Sequence, residues 1–154
     1  MTNFTDIADL MLIYIPEDYV QPNTELVKMV RLGLLQYSIR TKQSFTYVDA
    51  DKDSISIDMV EQEQFVVALF SYRVYLTKLL DELNRGAINF KTITFEVNTL
   101  QERVKAVRNM YKDNEILLEN TFSDFVTSGD FTGNISSVLG VINQVGKTDG
   151  KWEW

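Results

Sequence analysis

The stretch DADKDSISIDMVE, residues 49–61, holds the chain's densest run of oxygen ligands. Asp49, Asp51 and Asp53 stand at alternate positions, as at the start of an EF-hand loop. A hard cation such as calcium takes several carboxylate oxygens from one tight loop. The rest of the stretch departs from that pattern. Ser54 stands where the sharp turn needs Gly, Val60 stands at the twelfth position, and Glu61 arrives one residue late. The preceding FTYV is a poor entering helix. The acids therefore read as a solvated loop leading into a helix, and Asp49, Asp51 and Asp53 are weak metal candidates only. With Asp58 they are also the one carboxylate set on which acid–base catalysis would have to rest, and nothing else in the sequence converges on them.

The chain has no histidine and no cysteine. The commonest general base, the commonest metal ligand, thiolate chemistry and disulfides are all excluded. We read the chain as non-enzymatic and without a cofactor. A net charge of −7 favours solubility and argues against tight binding to phosphate backbones. LMLIYI (10–15) is apolar but short, and Asp6 and Asp9 precede it where a targeting segment would carry Lys or Arg. No run approaches the ~20 apolar residues of a membrane span. The expectation is a protein inside the cell, or in a particle assembled there, with no membrane partner.

The elements that must position any site are mainly helical. At 154 residues the chain is long enough for one core. Ile7, Leu10, Met11 and Tyr14 recur at helical spacing, which predicts a helix over 6–15 with Thr5 as N-cap and Pro16 as stop. A second helix is predicted over 24–41. Leu26, Met29, Val30, Leu34 and Tyr37 make one apolar face, while Val27, Leu32, Leu35 and Ile39 widen it and predict burial on more than one side. Gly33 in its middle predicts close helix packing. Short strands are expected near 45–48 and 55–57. A long helix follows over 59–85, opened by a capping box from Asp58 to Glu61 and closed by Gly86. A fourth spans 99–122, with Thr99 and Glu102 as its capping box. Along it, Arg108, Lys112, Glu115 and Glu119 read as a solvated face paired within the helix, with nucleic-acid contact as the sharper reading.

AINFKTITFEV (87–97) reads as β-strand between two helices. Its apolar residues change parity between Phe90 and Ile93, which predicts a bulge or bend near Lys91 and Thr92. Partner strands within the chain are few and short, so the excursion is a candidate contact between subunits, through Phe90, Ile93, Phe95 and Val97. The last part, 127–154, holds five of the seven glycines and ends KWEW. It reads as an extended tail in which Trp152 and Trp154 are candidate anchors for a partner's pocket. The fold class is thus mainly α: about four helices over 1–126, a small β-hairpin or bulged strand, and a C-terminal tail over 127–154.

The order LNRG–AINFKTITFEV–NTLQERVKAVRNMY, within the layout of residues 5–125, resembles the head–tail connector (adaptor or head-completion) proteins of tailed bacteriophages. The resemblance is architectural and carries no sequence signature. It implies a structural virion protein of the neck region, assembled in the host cytoplasm. It implies self-association into a ring, up to a dodecamer, with the portal protein and a tail or neck protein as partners. DNA would touch it only in passing through the channel, which the acidic charge suits. The alternative is a helical protein-binding or regulatory module without catalysis.

Overall fold

The computed structural model describes residues 1–48, 53–89 and 94–129. They form four α-helices and a two-stranded antiparallel sheet: β1 (Thr2–Asn3), α1 (Phe4–Leu12), α2 (Asn23–Thr41), β2 (Ser54–Ile55), α3 (Glu61–Asn89) and α4 (Thr94–Ser128). A 3-10 turn at Glu17–Tyr19 links α1 to α2. At 1.5 Å per residue α3 is about 44 Å long and α4 about 52 Å.

The long α3 is the spine against which the other three helices pack. Its pairing with α4 is antiparallel: Phe70 meets Phe122, Asn114 reaches Leu69, and Arg73 reaches Tyr111. Val66, Val67, Leu69 and Leu76 of α3 are almost wholly removed from water, as are Val107 and Leu118 of α4. Each such side chain contributes about 1.5–3 kcal/mol on burial.

The α2–α3 contact rests on Gly33. A Cβ there would lie 2.6 Å from the Ser71 amide nitrogen and 2.7 Å from its Cα, so the backbones meet closely, as the sequence predicts. The Ser71 hydroxyl is turned back onto the Val67 carbonyl at 2.7 Å. One turn on, the Tyr37 hydroxyl donates to Glu63 at 2.6 Å, and both residues are fully buried.

The β structure lies elsewhere than 87–97. Residues 87–89 end α3 and residues 94–97 begin α4, with 90–93 outside the described residues. In the sequence, Val97, Leu100, Val104, Val107 and Tyr111 recur at three- and four-residue steps, a helical period. Thr99 is consequently inside α4, not its cap, and α3 runs through Gly86. α4 also continues six residues past 122, into the stretch read as tail. From residue 130 on, the tail is outside the described residues.

The strand partner of the 54–57 segment is the chain's start. Thr2 pairs with Ile55 and Asn3 with Ser54, while Tyr47 bridges Ile55 from the other side. The Phe4 amide donates to the Asp53 carbonyl at 2.9 Å, and the Thr2 hydroxyl accepts from the Met59 amide at 2.8 Å. This explains why α1 begins at Phe4 rather than at residue 6. The sheet delivers the chain there, and Asn3 stands as N-cap without a side-chain bond, in place of the expected Thr5.

Candidate functional site

The two faces of α2 have opposite fates. Leu26, Met29, Val30, Gly33, Leu34 and Tyr37 are buried against α1 and α3. Leu32, Leu35 and Ile39, which the sequence places in a second buried face, are 48%, 54% and 70% exposed. Each lies two positions from a buried residue, which on a helix is roughly 200° away. The expected burial on a second side is therefore not supplied by this chain's described residues, because α1 and α3 occupy one side of α2 only. An apolar ridge about two turns long is left facing outward. Lys28, paired with Glu25 at 2.6 Å, is one turn before Leu32, and Lys42 is one turn after Ile39, held by a left-handed backbone at φ 57°. After Glu25, α2 carries Lys28, Arg31 and Arg40 and no acid.

A second apolar surface opens between α1, the first turns of α3 and the last turns of α4. It is a groove of about 530 Å³ lined by Leu10, Phe65 and Phe125, with Glu61, Gln62, Thr121, Asp124 and Ser128 at its edges. Among the described residues Glu61 and Asp124 are its charged residues, and no cation lines it. The groove and the ridge share no residue. α2 rests on Ser71 of α3, and Gln62, at the groove, is nine residues earlier, two and a half turns around the same helix. Sequence reasoning missed the groove because it ended the fourth helix at 122. The four- and three-residue steps from Leu118 to Phe122 to Phe125 carry the signal that it continues.

α2 is tied to α4 near the ridge. Arg40 makes a two-pronged pair with Glu119, at 2.7 and 2.5 Å, and its guanidinium lies 4.3 Å from the centre of the Phe122 ring. The Arg40 bond draws the Glu119 carboxyl below its ordinary range. Glu115 likewise faces Arg73 of α3, at 3.5 Å. The acids expected to pair within α4 thus pair across helices instead, and Lys105, Arg108 and Lys112 stand exposed.

The strongest protonation effects are structural. Burial, reinforced by Glu63, pushes the Tyr37 hydroxyl far above its ordinary value. Burial also raises Tyr72 and Tyr75 to about 12, with Asp113 adding to the first and Tyr72, Glu82 and Tyr19 to the second. These are tyrosines kept neutral. They sit in aromatic packing, with Tyr72 and Tyr75 stacked at 6.2 Å, and Tyr75 donates to the Tyr19 carbonyl at 2.5 Å.

The residues singled out in the sequence fall as follows. Asp49 and Asp51 are outside the described residues. Asp53 pairs with Arg31, and its carbonyl anchors the start of α1. Asp58 lies 3.7 Å from the Met1 amino group. Among the described residues no group of three potential metal ligands comes together. Phe95 and Val97 are in the first turn of α4, while Phe90, Ile93, Trp152 and Trp154 are outside the described residues. Among the described residues, no helix is long and apolar enough to cross a membrane. Family models, curated proteins and solved structures were each compared with the chain, and none matches.

Proposed function

We propose that this chain is a non-catalytic structural protein of a virion that works by assembly: a ring component between portal and tail, through which DNA passes without being held. The exposed α2 ridge carries the reading. Leu32, Leu35 and Ile39 line up on a helix whose opposite face is packed to backbone contact, so the ridge is not a by-product of a loose core. Aligned apolar side chains on an otherwise charged surface suit a protein–protein contact. The resemblance to phage connectors supplies the partners: further copies of the chain, the portal protein, and a tail or neck protein. Phe90, Ile93, Phe95, Val97, Trp152 and Trp154 are proposed to add contacts in the same assembly. The net charge of −7 fits a conduit that repels phosphate.

Sedimentation velocity of the purified chain tests this, from nanomolar to high micromolar, alone and with portal protein. The proposal expects self-association, or association on the portal. A chain that stays monomeric and binds neither capsid nor tail assemblies contradicts it.

A further inference from the structure

We infer that the α2 ridge of one copy seats in the α1–α3–α4 groove of the next, giving a head-to-tail contact between copies of this chain. The inference rests on the assembly reading above and gives it a specific interface.

Three observations select a second copy as the occupant. The first is shape: the ridge is a raised line of three side chains, and the groove is a trough floored by Leu10, Phe65 and Phe125. The second is charge. The ridge is bounded by Lys42 at one end and at the other by Lys28, which shares the helix's single acid, Glu25, at 2.6 Å, while the groove is edged by Glu61 and Asp124 and lined by no cation among the described residues. Opposite potentials on the two surfaces favour their pairing and disfavour ridge on ridge or groove on groove. The third is placement. Ridge and groove share no residue, so a copy that uses its groove still presents its ridge. Such a heterologous contact propagates from copy to copy, and closes into a ring when the rotation per step allows.

A two-surface face-to-face dimer would make different demands, and mixing separates the cases. In the full-length chain, Leu35→Asp with Ile39→Asp disables the ridge and leaves the groove. Glu61→Lys with Asp124→Lys disables the groove and leaves the ridge. All four positions are exposed, and circular dichroism is expected to show unchanged helicity. Mass photometry should find multimers for the parent chain and monomers for each variant alone. An equal mixture of the two should give a one-to-one dimer and nothing larger, because each dimer retains one intact contact. A mixture that stays monomeric, or variants that assemble like the parent, overturns the inference while leaving assembly itself standing. A parent chain monomeric at every concentration, with and without portal protein, overturns both.

A benzophenone photo-cross-linker in place of Gln62 gives a second readout that does not depend on variant stability. Cross-links to residues 32–42 of another copy support the contact. Cross-links to residues 130–154 of the same chain would mean that the C-terminal segment fills the groove, and would also overturn it.

Discussion

Leu34 and Leu35 are neighbours in sequence, of one type, in the middle of one helix, and they face opposite worlds. Leu34 is 2% exposed and belongs to the seam with α3; Leu35 is 54% exposed and belongs to the ridge. The seam is settled within the chain: Gly33 admits the Ser71 backbone, Tyr37 bonds Glu63, and the flanking side chains are dry. The ridge is apolar without that settlement. Hydrophobicity alone does not distinguish the two sides of α2. What differs is whether this chain's described residues supply the opposing surface. One side therefore governs folding, and we assign the other to assembly.

The sharpest way to break the comparison is to truncate both leucines. Leu34→Ala should lower the unfolding free energy by about 3 kcal/mol, since a buried leucine deletion also leaves a cavity. Leu35→Ala should change it by less than about 0.5 kcal/mol, as exposed substitutions do. Urea denaturation at a concentration where the chain is monomeric would measure both. Equal costs would mean that the ridge is part of the core. Next in size is Gly33→Ala. Its better helix propensity, about 1 kcal/mol, is opposed by overpacking against backbone that cannot yield. A net loss of roughly 2 kcal/mol is expected, read as a fall in melting temperature, and a neutral result would mean that α2 and α3 are not in backbone contact. Tyr37→Phe removes a donor from a carboxyl wholly out of water and should cost about 1–3 kcal/mol by the same denaturation measurement.

The buried tyrosines should also make the fold sensitive to alkali. Tyr37, Tyr72 and Tyr75 all have folded values above the ordinary 10.0, two of them at about 12. Between the unfolded and folded values the folded state holds more protons, so its stability falls as pH rises. Stability from this source should be intact below pH 10 and decline from there through 12, with tyrosinate absorbance appearing together with loss of helicity. Tyrosinate appearing near pH 10 with helicity intact would contradict the burial of these three rings.

Much of this architecture was legible in the sequence. The second helix was placed to within a residue at each end, and Gly33 was read as a packing glycine, because periodicity and a mid-helix glycine are local signals. The short strand near Ile55 was also readable. Its partner was not, since nothing in Thr2–Asn3 marks a strand and the pairing spans more than fifty residues. The 87–97 stretch misled because β-branched and aromatic residues there suggest a strand. The three- and four-residue steps from Val97 to Tyr111 were the better signal, a helical period that runs down α4. Of the surfaces, the ridge residues were legible as apolar, but their exposure was not, because it depends on which side of α2 the rest of the chain chooses. The groove needed the full length of α4 and the position of α1, neither of which a local pattern fixes.

The central claim is that another molecule covers the outer face of α2, and the absence of cysteine makes a direct measurement available. Leu35→Cys creates a lone thiol on the ridge, and Glu102→Cys creates one on an exposed part of α4. Maleimide labelling rates are then followed as concentration rises through the range of self-association. The account predicts that the thiol at position 35 slows steeply as assembly proceeds while the one at 102 does not. Equal, concentration-independent labelling at both positions in an assembled sample would contradict it.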